Sequence, residues 1–278
     1  MTVTARTRLL VLLGDPVEHS GSPEIQNAAF AEAGVDGVYV AVRCAAADLS
    51  GFMHGLARAG GGGNITLPHK EKAASLVDVP SEAVRRTGAC NTFWGGPDGR
   101  LYGDNTDVEG FRRALCTFLD GQLKGLRALL LGAGGAARAA LLGLLEEGAK
   151  EVLVQNRTVE RARAVARRIG GPRVRVVAQA RELEGEAFDL VVNATRLGLH
   201  PDDHTPFDLG RLARAGAAMD LVYDARGKTP FVRHAEQLGI RATDGLEMLV
   251  QQGAASFERW WGRPAPIGAM RSAIGALR

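Results

Sequence analysis

The chain has 278 residues, 46% of them hydrophobic, 23% charged and 5% aromatic, and a formal net charge of +3. This is the balance of a globular protein of one large or two medium domains, and so small a positive charge with so few aromatic rings argues against a nucleic-acid stacking surface while suiting anionic small ligands. Its three cysteines, Cys44, Cys90 and Cys116, form no C-x-x-C pair and no even set, which indicates neither a disulfide framework nor a cysteine zinc site and fits a reducing cytoplasm.

Arg6 and Arg8 precede an apolar run at 9–13 that is too short for a signal peptide and stops at Gly14-Asp15-Pro16, so it predicts a first buried strand. Next come a helix over 23–33 opened by Ser22, a strand over 38–42 and a helix over 48–59. That alternation predicts an α/β unit with a mainly parallel sheet. Four glycines, 60–63, read as punctuation or a hinge before a short strand at 64–66, where a polar site can form ahead of Pro68. From Asp107 a helix runs through Leu119 to a glycine turn at 121–125. A second alternating unit follows, with strands at 128–131, 152–155, 174–177, 190–193 and 217–220 and helices between them, the doubly wound nucleotide-binding pattern. From Leu246 onward, apolar helical stretches with Trp260 and Trp261 are expected to pack back on the first unit. No apolar run reaches the roughly 18 residues of a membrane span; the longest, 128–145, is broken by glycines and Arg138.

The most informative stretch is L-L-L-G-A-G-G-A-A-R at 129–138. In the G-x-G-x-x-[GA] pattern Gly132 makes the tight turn, Gly134 lets backbone amides approach a pyrophosphate, and Ala137 takes the close-packing place of the third glycine. The helix beginning near Gly135 aims its unpaired N–H groups and positive dipole end at the same point, with Ala133 and Ala136 in the same turn. Packing turns and adenosine-binding methyltransferases share this pattern. The following strand, 151–155, ends in Asn156-Arg157-Thr158 instead of the acidic residue that would bind the ribose hydroxyls of NAD or of a methyl donor. A guanidinium there offers paired donors to the 2′-phosphate of NADP, with Arg161 one helical turn further on. The plain alternative is a solvated basic helix start, shared with Arg163, Arg167 and Arg168.

Four polar segments stand where loops follow strands: G-D-P-V-E-H-S-G-S-P (14–23), N-I-T-L-P-H-K (64–70), G-A-C-N-T (88–92) and G-D-N-T-D (103–107). Ligands of open α/β sheets lie beyond the carboxyl ends of strands, so these segments are placed to line a cleft. Each also has a bland reading. Ser22-Pro23 is an ordinary helix cap followed by a first-turn proline, and Asp107 can cap the helix that follows. H-P-D-D-H at 200–204 has the look of metal spacing, but a proline-containing loop need not put His200 and His204 on one face and no cysteine supports them, so no metal is expected. His19, His54, His69 and His234 read as packing or surface residues.

Together these segments resemble the shikimate dehydrogenase family over almost the whole chain, with HSxSP, N-[VI]-T-x-P-x-K, GAxNT, GDNTD, GAGGAARA, NRT and a C-terminal G-L-x-M-L-V-x-Q (245–252) in the family's order. The resemblance implies NADPH-dependent reduction of 3-dehydroshikimate to shikimate. It divides the chain into a substrate-binding and catalytic domain, 1–106 with 247–278, and a Rossmann-like NADP-binding domain, 107–246, with a cleft closing over both ligands. It makes Lys70 and Asp107 the catalytic pair. Ser20, Ser22 and Gln252 become substrate binders, joined by Thr66, Asn91 and Tyr223. Glu82, Leu221 and Gly245 fall to the nicotinamide half of the cofactor. Gly132, Ala133, Gly134, Gly135, Ala136, Asn156, Arg157, Thr158 and Arg161 fall to its phosphates and adenosine. A cytoplasmic monomer or homodimer, with no nucleic-acid or membrane partner, is expected. Two departures stand out: Gln26, where the family often has histidine, and Arg196, where proline is common.

Hydride reduction of a ketone needs a proton for the developing alkoxide, and a positioned acid commonly contributes about 10²- to 10⁴-fold. The lysine ammonium is the expected donor, with the aspartate orienting it. Relatives acting on quinate or aminoshikimate would keep the same pair; Ser22, less bulky than threonine, leans toward shikimate. A non-catalytic NADP sensor would be expected to have lost Lys70 or Asp107, and both are present.

Overall fold

The computed structural model describes residues 3–200, 202–224 and 227–276. In chain order its elements begin with β1 (Arg8–Gly14), α1 (Ser22–Ala33), β2 (Gly37–Arg43), α2 (Leu49–Arg58), β3 (Gly62–Ile65), α3 (Lys70–Ala74), β4 (Val79–Pro80), α4 (Glu82–Thr87), β5 (Thr92–Gly95), β6 (Leu101–Asp104) and α5 (Thr106–Phe118). There follow β7 (Arg127–Leu131), α6 (Gly135–Glu146), β8 (Glu151–Gln155), α7 (Val159–Val165), β9 (Val174–Val177), β10 (Ala187–Asn193), β11 (Arg214–Asp220), α8 (Pro230–Gln237), β12 (Arg241–Thr243), α9 (Leu246–Trp261) and α10 (Ile267–Gly275). Contacts gather the chain into two units, one of residues up to Gly110 together with those from Leu249, the other Phe111–Met248.

The first unit holds a six-stranded sheet in the order β2-β1-β3-β5-β6-β4. β1 runs parallel to β2 and β3, β4 runs parallel to β6, and β5 is antiparallel to both β3 and β6. The parallel part follows the predicted alternation. The β5–β6 hairpin was not foreseen, although Pro97-Asp98-Gly99 between its strands is ordinary turn chemistry. The glycine run is no hinge. Gly62 and Gly63 lie inside β3, where a Cβ would sit 2.5 Å from the Phe93 carbonyl oxygen and 2.2 Å from that of Val11, so glycine is what lets three strands meet. The core beneath is built from Val11, Leu13, Met53, Ile65 and Phe93.

The C-terminal helices return to this unit as expected. Phe257 and Trp261 of α9 pack on Phe30 of α1, with ring centroids 6.0 and 5.5 Å apart, and the Trp260 indole N–H donates to the Phe93 carbonyl at 3.3 Å.

The second unit is a parallel sheet in the order β12-β11-β10-β7-β8-β9. Numbered from β7, this is the strand order 6-5-4-1-2-3 of a dinucleotide-binding doubly wound sheet, whose ligand crevice opens where strand order reverses, here between β7 and β10. Two expectations need correction. Only single 3₁₀ turns, Ala180–Leu183 and Leu209–Arg211, precede β10 and β11 in place of the predicted helices, and a short sixth strand, β12, closes the sheet. Its core includes Leu129, Leu131, Leu153, Phe188, Val191 and Phe231. Among the described residues no helix is long and apolar enough to cross a membrane.

Candidate active site

Three segments far apart in the chain meet in the first unit. Lys70 opens α3, and its Nζ lies 2.5 Å from Asp107 Oδ2, with side chains 17% and 7% exposed. The helix start is pinned on both sides. Buried His69 reaches the Cys44 carbonyl at 2.7 Å through Nε2, and the Cys90 amide donates to the Lys70 carbonyl at 2.8 Å. Asp107 does not cap α5: the helix begins at Thr106, and the second carboxylate oxygen accepts from Asn91 Nδ2 at 2.8 Å.

Asn91 is itself fixed. Its Oδ1 accepts from the Thr106 amide at 2.7 Å and from the hydroxyls of Thr92 and Thr106 at 3.0 and 3.1 Å. Behind it, Ser256 of α9 lies 2.9 Å from the Thr92 hydroxyl and 3.0 Å from that of Thr106. Asn64 Nδ2 reaches the Asn91 carbonyl, Thr92 and Ser256 at 3.1, 2.9 and 2.9 Å, and the Tyr39 hydroxyl donates to Asn64 Oδ1 at 2.8 Å. Every polar member of this chain is buried. A satisfied network of that kind holds its members in one geometry. Sequence reasoning missed Tyr39, Asn64, Thr92, Thr106 and Ser256 as positioning residues; three stood inside quoted segments, and Ser256 follows Gln252 by one helical turn.

The remaining residues assigned to substrate in this unit surround the strand ends. The Ser22 hydroxyl makes no cap bond; Gly21 holds the cap position, and Ser20 Oγ donates to Ser22 Oγ at 3.2 Å. That overturns the bland reading of Ser22. Thr66 follows β3, with its amide on the Leu13 carbonyl. Gln252 lies on α9, where a Cβ on Gly110 would come within 2.5 Å of its own Cβ, so Gly110 permits the close crossing that sets Gln252 one turn along α5 from Asp107. Glu82, in the first turn of α4, is exposed and pairs with Arg85 at 3.0 Å. Gln26 donates to the Gly253 carbonyl at 2.9 Å and leaves its Oε1 without a partner.

In the second unit, Gly132 has φ +118°, and a Cβ there would lie 2.7 Å from the Ala194 carbonyl, a conformation and a contact that both call for glycine. Gly134 caps α6 with no side-chain bond, and a Cβ on it would meet nothing within 4 Å. The first-turn amides of α6, which begins at Gly135 and continues through Ala136, therefore take no cap from a side chain at position 134; Ala133, in the turn, is buried. Past β8, Asn156 Nδ2 donates to the Thr158 carbonyl at 2.8 Å, and Arg157, Thr158 and Arg161 are exposed. Neither arginine meets a carboxylate among the described residues. Both arginines follow β8, the strand paired with β7, and carry no carboxylate partner among the described residues that would compete with a phosphate.

Leu221 and Tyr223 follow β11. The Leu221 amide donates to the Asn193 carbonyl, and a Cβ on Gly245 would lie 2.4 Å from the Leu221 carbonyl oxygen. Asp220, which closes β11, is fully buried, and burial pushes its carboxyl up to about 7 against hydrogen bonds from Thr229, Val222 and Asn193. Arg196 is exposed beyond β10. In the His200–His204 loop, Asp203 Oδ2 accepts from the Gly198 and His200 amides; Pro201 lies outside the described residues, and the described ones hold no group of three His, Cys, Asp or Glu fit for a metal.

A Lys–Asp pair backed by a buried polar network, and a parallel sheet with a dinucleotide-binding strand order, define a class: two-unit α/β oxidoreductases that use a nicotinamide dinucleotide. The chain belongs to the shikimate dehydrogenase family. Residues 12–93 match the shikimate dehydrogenase substrate binding domain, 115–198 match shikimate / quinate 5-dehydrogenase, and 245–274 match the shikimate 5'-dehydrogenase C-terminal domain. It is 42% identical to shikimate dehydrogenase (NADP(+)) of Brucella abortus strain S19, over 97% of this chain and 94% of that protein, and 38% identical to that of Magnetococcus marinus, over 96% and 95%. The crystal structure of shikimate 5-dehydrogenase from Thermus thermophilus in complex with NADP(H) and shikimate superposes with a TM-score of 0.86 at 39% identity, over 97% of this chain and 99% of that one.

Proposed function

We propose that this protein is an NADP-dependent shikimate dehydrogenase that reversibly reduces 3-dehydroshikimate to shikimate, the step before shikimate phosphorylation in aromatic amino-acid biosynthesis. The observation behind the catalytic assignment is the 2.5 Å Lys70–Asp107 pair, held by Asn91. NADPH supplies the hydride to the ketone carbon. Lys70 gives its proton to the oxygen that gains charge and takes one back in reverse, and Asp107 holds the ammonium while hydrogen-bonding the same hydroxyl region.

Residues 1–106 and 247–278 act as the substrate-binding and catalytic domain, and 107–246 as the NADP-binding domain. Ser20, Ser22, Thr66, Asn91, Tyr223 and Gln252 bind the carboxylate and ring hydroxyls. The freedom of the Ser22 hydroxyl from capping supports its share of that task. Gly132 to Ala136 hold the pyrophosphate, Asn156, Arg157, Thr158 and Arg161 the phosphorylated adenosine, and Glu82, Leu221 and Gly245 the nicotinamide half. The protein works in the cytoplasm as a monomer or homodimer, without a nucleic-acid partner.

Quinate is the second substrate reading, because the family matched at 115–198 is named for both compounds. The test is NADP⁺ reduction at roughly 340 nm, the absorbance of the reduced nicotinamide, with shikimate, then quinate, then NAD⁺ in place of NADP⁺. The highest kcat/KM is expected for shikimate with NADP⁺; a higher value for quinate moves the protein to the second reading, and no turnover with either overturns both.

A further inference from the structure

Asp220 is a fully buried carboxylate that meets no lysine, arginine or histidine among the described residues. Burial without a counter-ion disfavours the charged form of this group, so its hydrogen bonds, not an ion pair, define its place. The partners of Asp220 indicate what it holds in place. Its Oδ1 accepts from Asn193 Nδ2 at 2.8 Å and from the Val222 amide at 3.0 Å; its Oδ2 accepts from the Thr229 hydroxyl at 2.6 Å. Asn193 in turn grips the loop after β10: its Oδ1 takes the Thr195 amide and hydroxyl at 3.0 and 2.7 Å, and its Nδ2 also reaches the Leu197 carbonyl at 3.1 Å. Thr229 caps α8 through the Val232 amide. One carboxylate therefore ties the loop after β10, the turn after β11 that bears Leu221 and Tyr223, and the start of α8. Gly198 folds over it, with a Cβ position 3.7 Å from Oδ2.

We propose that Asp220 is a positioning residue that fixes the strand-end loops of β10 and β11 in the form that receives the nicotinamide half of the cofactor. The proposal rests on the assignment of Leu221 and Gly245 to that half. Both are set by the same turn: Leu221 lies between Asp220 and Val222, and the Gly245 amide donates to the Val222 carbonyl at 3.0 Å. The adenosine half is assigned elsewhere, beyond β8, so the two halves of the cofactor should respond differently to the loss of Asp220.

The experiment measures binding of NADP⁺ and of adenosine 2′,5′-bisphosphate, which lacks the nicotinamide half, to the unaltered protein and to Asp220→Ala, Asp220→Asn and Asn193→Ala, with melting temperatures alongside. Asp220→Ala and Asn193→Ala should weaken NADP⁺ about tenfold while the bisphosphate stays within about twofold. Asp220→Asn keeps an Oδ1 acceptor and a donor for Thr229, so it should hold NADP⁺ within about threefold of the unaltered protein. Equal weakening of both ligands, or unchanged NADP⁺ binding in Asn193→Ala and Asp220→Ala, overturns the proposal and leaves Asp220 a fold element. Failure of the unaltered protein to oxidise shikimate would sink the functional reading, whereas the Asp220 proposal is judged by the ratio of two binding constants.

Discussion

Asn91 faces two ways: its amide nitrogen donates to Asp107 Oδ1 at 2.8 Å while its carbonyl oxygen takes the Thr106 amide at 2.7 Å. The side chain that steadies the carboxylate is thus locked to the residue preceding it in the chain. Asn91 cannot turn without breaking bonds to Thr92 and Thr106 as well. Orientation of the Lys70–Asp107 pair is therefore set by the protein's own hydrogen bonds.

The far end of that network is Ser256, whose hydroxyl also donates to the Gln252 carbonyl at 2.9 Å. Ser256→Ala leaves Asn64, Thr92 and Thr106 one partner short, and should cost about 1–3 kcal/mol of stability. A fall in kcat of a few fold, with the NADP⁺ KM unchanged, is expected in the same variant. Urea denaturation and steady-state kinetics check the two effects, and unchanged values in both would detach Ser256 from the site.

Arg157 decides between cofactors if it meets the 2′-phosphate. Replacing it by alanine should raise the KM for NADP⁺ roughly 10- to 100-fold, the scale of one or two charge-assisted hydrogen bonds. The KM for NAD⁺ should barely move. Equal effects on both cofactors would return Arg157 to the solvated surface.

Asp220 makes a prediction about pH. Burial, with a smaller push from Asp244, raises its carboxyl from 3.8 to about 7 in the folded chain. Between those values the folded state holds a proton that the unfolded state has released, so this group makes stability fall as pH rises, with the loss complete above about 7. Asp220→Asn removes that slope. Its denaturation midpoint should gain on that of the unaltered protein from pH 5 to 8, and parallel curves would contradict the raised value.

The close approach of β1 and β3 is equally testable. A methyl at position 63 would sit 2.2 Å from the backbone oxygen of Val11, which the strands can relieve only by separating. Gly63→Ala should destabilise the first unit by about 3 kcal/mol. A melting temperature within a degree or so of the original would show that the strands yield freely.

The order of motifs in the sequence made the family legible, along with the residues that touch Asp107, because each lies in a short segment with its own composition. The glycines at 60–63 read as standing ahead of the strand because a run of four looks like loose chain, whereas β3 begins at Gly62; their purpose appears only when the Val11 and Phe93 carbonyls stand against them. Ser22 read as a helix cap because Ser-Pro is the ordinary signature of one, yet the structure gives that position to Gly21. Ser256 and Asp220 were hidden for a common reason. Their effect depends on partners distant in the chain, Asn64 and Thr92 in one case and Asn193 and Thr229 in the other, and neither periodicity nor local motif reports such pairings. β12 and the β5–β6 hairpin escaped because their three or four residues include glycine, arginine or aspartate and few β-branched side chains, whereas β9, equally short, carries three valines.

In the proposed reaction Lys70 moves the proton. The most direct measurement is the kcat of Lys70→Ala for shikimate oxidation by NADP⁺, with NADP⁺ affinity measured separately. Loss of about 10²- to 10⁴-fold in kcat, a smaller change in the shikimate KM and unaltered NADP⁺ binding are predicted. A turnover number equal to that of the unaltered protein would mean that another group moves the proton.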